Sequence, residues 1–99
     1  MPHVVEQILE APSVLGLDER VAFRDAAVAA LDALPPASGR LVIDLAATRA
    51  VDSAGLGALI VVQRHAAERR QSICLRHMTD ELRFLLVLTK LADLFDVEE

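Results

Sequence analysis

The stretch from Leu41 to Gln63, LVIDLAATRAVDSAGLGALIVVQ, constrains the chain most. It opens on a near-continuous apolar run, the pattern of a strand covered on much of both faces. It closes on a second apolar run in which Leu56, Leu59, Ile60, Gln63 and Ala67 recur at helical spacing, predicting a helix over about 54–70. Between them lies VDSAGLG, an acid, a hydroxyl and two glycines at a turn. A buried strand passing through a loop into an apolar helix is the repeating unit of an α/β layer fold.

The flanking sequence repeats the alternation. HVVEQIL at 3–9 and SVLGL at 13–17 read as strands, adjacent enough to form a hairpin, with Gly16 weakening the second. Asp18 is placed to cap a helix over 19–34, whose inner face is Phe23, Ala27, Ala30, Leu31 and Leu34. The prolines of PPASG stop it. Strands follow at 40–46 and 72–77. Thr79 caps a third helix at DELRFLLVLTK, and a last short strand is expected near Phe95–Val97. The expectation is a single α/β domain over 1–99, with a mixed sheet of about four or five strands and three or four helices. The strands at 41–46 and 72–77 should be parallel with a right-handed crossover.

Composition narrows the function. The chain has 99 residues, enough for one domain that buries roughly two-thirds of its unfolded surface. Ten Lys and Arg against fifteen Asp and Glu leave a net charge of −5, and Tyr and Trp are absent. That balance argues against direct nucleic-acid binding, which wants a basic patch and stacking platforms. The cluster Arg64, His65, Arg69 and Arg70 reads as a solvated helix face. Cys74 is alone, with no disulfide framework or zinc spacing, and reads as a small buried hydrophobe. MPHVVEQ has no signal-peptide pattern. GLGALIVV, the longest apolar run, is far short of the about 20 residues that span a membrane. A soluble cytoplasmic domain is expected. The apolar face Leu82, Leu85, Leu86 and Leu88 is mostly core, and its excess leaves room for a weak homodimer.

Ser53 has several readings. A P-loop fails, because the two glycines are followed by no lysine before Lys90. A dinucleotide fingerprint fails at Ile60, where it needs glycine. A hydrolase elbow fails at Val51, where it needs glycine. Of the histidines a triad would need, His65 lies about 15 Å along the helix, while His3 and His77 stay open as partners. What remains is a helix cap by Asp52 or Ser53, with or without a function added to it. An exposed hydroxyl there is open to a kinase. A phosphate of about −1.5 to −2 charge would be tolerated by the helix and resisted by an acidic partner surface. Gly55 and Gly57 would let a partner approach the backbone closely. Thr48, in the same loop, reads as ordinary loop polarity or a secondary acceptor.

These residues resemble a known signature. Asp44-Leu45 ending an apolar strand, then Asp52-Ser53-Ala54-Gly55-Leu56-Gly57 opening a helix, is similar to STAS domains, the class that includes bacterial anti-sigma-factor antagonists. The tail LRFLLVLTKLADLFDV resembles the end of that family. The resemblance implies a non-enzymatic binding module without cofactor or metal. Such a module binds an anti-sigma factor that is also a serine kinase, and so regulates transcription indirectly. The kinase phosphorylates the serine after the motif aspartate, here Ser53, and a phosphatase reverses it. Asp18, Asp52, Ser53, Ala54, Gly55, Leu56 and Gly57 would form the partner surface. The chain departs at Gly16, where the family usually has an acidic residue. A rival within the family is the accessory subunit that binds the ATPase of a phospholipid-transport ABC complex.

Overall fold

The computed structural model describes residues 4–98. Six strands and three helices alternate along them. They are β1 (Val5–Glu10), β2 (Val14–Leu15), α1 (Arg20–Ala33), β3 (Gly39–Asp44), β4 (Ala50–Val51), α2 (Ser53–Glu68), β5 (Ser72–Arg76), α3 (Asp80–Leu88) and β6 (Asp96–Glu98), with a 3-10 turn at Ala92–Leu94 before the last. The α/β fold and the three helices match the sequence expectation. The first predicted strand begins at His3, which lies outside the described residues.

The four-stranded sheet has the order β1-β3-β5-β6, and every pairing in it is parallel, not mixed. The β1–β2 hairpin does not form. β1 pairs with β3 in the register Ile8 to Val42, and β2 pairs with β4 in a separate two-stranded parallel sheet. The reason is the crossover: with α1 and α2 on one face, each main-sheet strand returns beside its predecessor in the same direction.

Period-two alternation divides the sheet. Leu41, Ile43, Ile73 and Leu75 join the buried cluster with Phe23, Ala27, Ala30, Leu31 and Leu34 from α1 and its end. The whole predicted inner face of α1 is buried. On α2 the phase differs from expectation. Gly55, Ala58, Leu59, Val62 and Ala66 are buried, while Ala67 is exposed and Ile60 and Gln63 are partly exposed. A helix apolar on nearly all sides carries a weak phase signal, and its small residues turn inward because α1 and β2 approach closely there.

Val42 and Cys74, on the other face, are fully buried yet stand outside that cluster. Among the described residues no helix lies across them in the way α1 and α2 cover the first face. Arg40 pairs there with Glu6 at 3.3 Å and Asp96 at 3.6 Å, and Arg76 with Glu98 at 3.1 Å. The aliphatic stems of these arginines can cover the apolar row beneath their charged heads. α3 is capped by Thr79, whose Oγ1 accepts from the Leu82 amide at 3.2 Å. It buries Leu82 and Leu86 and leaves Phe84, Val87 and Leu88 exposed. Among the described residues no helix is long and apolar enough to cross a membrane.

The end of α1 is fastened from a distance. Buried Gln71 donates from Nε2 to the carbonyls of Leu31 at 2.8 Å and Leu34 at 3.1 Å, at a terminus where intrahelical amides run short. The Leu34 amide also donates to the Leu31 carbonyl at 3.1 Å, and Arg69 donates to the Leu34 carbonyl at 3.4 Å. Replacing Gln71 by Ala should cost about 1–3 kcal/mol, the loss of two side-chain hydrogen bonds at about 0.5–1.5 kcal/mol each. Urea unfolding monitored by circular dichroism checks this, with a lowered midpoint at unchanged slope expected.

Candidate functional site

The β2–α1 and β4–α2 turns lie side by side, and Asp52 joins them. It is the N-cap of α2, with extended backbone. One carboxylate oxygen, Oδ1, accepts from the Gly55 amide at 2.9 Å, closing the cap. The other, Oδ2, accepts from the Leu17 amide at 3.2 Å, across the gap to the turn before α1. The Asp52 amide in turn donates to the Leu15 carbonyl at 3.2 Å. The Gly55 amide bond, with those from Leu17 and Ala54, holds the Asp52 carboxyl below its ordinary pKa of 3.8, against the opposing effect of desolvation.

Two glycines make this junction possible. A Cβ on Gly55 would run into the carbonyl group of Leu15, whose carbon is 2.7 Å from that position. A Cβ on Gly16 would stand 2.7 Å from Asp52 Oδ2. The departure from the family pattern at Gly16 thus gives the Asp52 carboxylate its room. Gly57 is different, since a Cβ there meets nothing within 4 Å.

Each predicted site residue can now be placed. Ser53 is the first residue of α2 and is exposed, and its hydroxyl takes no part in the cap. Asp52 is exposed beside it. Ala54 and Gly57 are partly exposed and line a groove between α2 and α1. Gly55 is buried against Leu15, and Leu56 packs on the core instead of facing that groove. Asp18 is exposed in the turn before α1 but does not cap it. The N-cap position is Glu19, with no side-chain bond, and the Gly16 carbonyl accepts from the Glu19 and Arg20 amides at 3.1 and 2.9 Å. A backbone turn does the work expected of Asp18.

Several residues at this end went unseen in the sequence. Leu17, 62% exposed, follows β2 beside the Asp52 cap. Arg20, Val21 and Arg24 form the α1 wall of the groove, and Val61 extends the α2 wall. Their signal is a helical spacing shared by two helices, visible only once the helices are paired. Thr48 is withdrawn as an acceptor: it is 5% exposed, and its Oγ1 donates to the Pro12 carbonyl at 2.7 Å. Neither described histidine lines the Ser53 groove. His65 bonds Asp32 at 2.7 Å and His77 bonds Asp44 at 3.0 Å.

Two measurements test this geometry. Gly55→Ala should destabilise by about 3 kcal/mol, because the methyl meets backbone that cannot step aside. Gly57→Ala should instead gain about 0.5–1 kcal/mol from helix propensity. Thermal melts of both variants check the contrast. Because the folded-state pKa of Asp52 is lowered, its stabilising contribution is present above the unfolded value of about 3.9 and is lost as the pH falls through the folded value. Asp52→Asn should therefore melt below wild type at pH 7, with the gap narrowing toward pH 2.

Comparison with known proteins places this architecture. The family model described as "Mlab, STAS domain" matches residues 3–96. Among solved structures, a Thermotoga maritima protein described as a candidate anti-sigma factor antagonist superposes with a TM-score of 0.77 at 19% identity, covering 97% of this chain and 82% of that one. A sulfate transporter family protein from Wolinella succinogenes superposes with a TM-score of 0.70 at 17% identity, covering 89% of this chain and 69% of the other. No curated protein matches the sequence. The resemblance in the Asp52–Gly57 turn and the parallel α/β architecture thus have a common explanation: the chain belongs to the STAS-domain family.

Proposed function

We propose that this domain is an anti-sigma-factor antagonist, a binding module whose docking surface is the pair of turns around Asp52 and whose switch is the Ser53 hydroxyl. The observation that carries this is the division of labour at the helix start. Asp52 makes the cap, and Ser53 is exposed with its hydroxyl free of that duty. A serine kept only for capping would hold the position that Asp52 occupies.

In the proposed reaction the partner is a serine kinase carrying ATP. Ser53 Oγ attacks the γ-phosphorus, the bond from that phosphorus to the β,γ-bridging oxygen breaks, and ADP leaves. The hydroxyl proton passes to a base on the kinase. A phosphatase restores the alcohol with water and releases inorganic phosphate. The docking surface comprises Asp18, Asp52, Ser53, Ala54 and Gly57, with Gly55 and Leu56 seating the turn from below. The unmodified form binds the kinase and frees a sigma factor, and the modified form does not.

The second reading, an accessory subunit on the ATPase of a phospholipid-transport complex, uses the same turns and needs no phosphate. The uncommitted hydroxyl at an exposed position favours the first. Pull-downs from the native cell with Ser53→Ala and Ser53→Asp baits decide between them. An ATP-dependent serine kinase held by the alanine bait and lost by the aspartate bait is expected. That kinase should label the wild type and not Ser53→Ala. Equal labelling of the two, or a transport ATPase held equally by both baits, overturns the proposal.

A further inference from the structure

Ser53 stands on the wall of a groove of about 420 Å³. The α2 wall is Ser53, Ala54, Gly57, Ala58 and Val61, and the α1 wall is Arg20, Val21 and Arg24. Arg20 and Arg24 are one turn apart on their helix, as are Ser53, Gly57 and Val61 on theirs, so each set shares a face. At the far end the same two helices are tied together, with Asp32 of α1 2.7 Å from His65 of α2 and 3.7 Å from Arg69 just beyond it. The pair is fastened at one end, and at the other a groove between the helices carries two arginines and a serine on its walls.

The charges around this opening are unequal in freedom. Arg24 pairs with Asp25 at 3.4 Å, both side chains being well exposed, an arrangement worth little in water. The Asp52 oxygens are engaged by the Gly55 and Leu17 amides. Asp18 and Glu19 lie in the turn before α1. At the start of α2 the Gly55 amide is taken by the Asp52 cap, and the cations of α1 line the groove wall opposite Ser53. Two arginines have little to gain from a neutral hydroxyl. A phosphate monoester offers three acceptor oxygens and can take forked, charge-assisted bonds from both.

We infer that a phosphate on Ser53 is held across the groove by Arg20 and Arg24, latching α1 to α2 and closing the opening. This deepens the proposed switch and rests on Ser53 as the acceptor. The mark then acts by removing a surface as well as by adding charge. Val21 and Val61, 47% and 44% exposed, are drawn toward each other, and the two arginines are no longer open to a partner.

The test needs no kinase. The full chain is made with phosphoserine installed at position 53 during translation, and the second ionisation of the phosphate is followed by phosphorus NMR against pH. An unrestrained phosphoserine ionises near about pH 6. Two facing guanidiniums favour the dianion, so the wild-type value should lie about half a unit or more below that of Arg20→Gln/Arg24→Gln, with each single substitution intermediate. The phosphate should also raise the melting temperature of the wild type and not that of the double variant. Melts of the unphosphorylated variants establish that both fold. Coincident titrations in wild type and double variant overturn the latch, and because the phosphate was installed without a kinase, that result leaves Ser53's acceptor role standing. Conversely, failure of the partner kinase to label Ser53 overturns the switch without touching the latch geometry.

Discussion

The carboxylate of Asp52 is bonded to two backbone amides that lie thirty-odd residues apart in the chain, one in the first turn of α2 and one in the turn before α1. Most of the local architecture follows from it. The bond to Leu17 fixes where β2 ends and α1 begins, and the bond to Gly55 fixes where α2 begins. The Asp52 amide returns a third bond, to the Leu15 carbonyl. Since Leu15 and Val51 are also register partners in the small parallel sheet, both helix starts are referenced to one two-residue ladder. The main sheet sets the layers, and this junction sets the pole that carries Ser53.

The two glycines of the motif, similar on paper, have unrelated duties. Gly55 is a packing requirement, the place where α2 touches the backbone of β2. Gly57 faces open space and keeps a groove low. Any account that treats the motif as a single recognition loop merges a structural contact with a surface feature. Leu56, between them, faces the core and holds the turn down.

Much of the fold was legible because it is written in strong periodicities. The inner face of α1, from Phe23 to Leu34, follows helical spacing with polar residues opposite, and all of it is buried. β3 and β5 are short apolar runs between turn signals. The α2 phase was not legible, since its apolar residues surround the helix and small residues on the buried side carry little hydrophobic weight. The β2–β4 pairing was hidden because two-residue strands have no period. The expected hairpin came from adjacency in sequence, whereas the pairing of β1 depends on a crossover whose geometry belongs to the packed layers. At the site, Ser53 and Asp52 announced themselves through capping chemistry. Arg20 and Arg24 did not, because arginines on the polar face of an amphipathic helix are commonplace until a second helix brings a hydroxyl opposite them.

The parallel sheet also gives the domain two poles of different make-up. Helix starts gather at the pole carrying Ser53. At the other, the Val5 amide meets the Ser38 carbonyl and the Ala37 amide meets the Arg69 carbonyl, so the beginning of β1 sits among the helix ends. Val5 therefore lies at the pole remote from Ser53. Glu98 ends β6 beside Arg76, at the pole that carries Ser53. The start of β1 and the end of β6 thus stand at opposite poles, so a visitor reaching Ser53 meets the trailing strand and not the leading one.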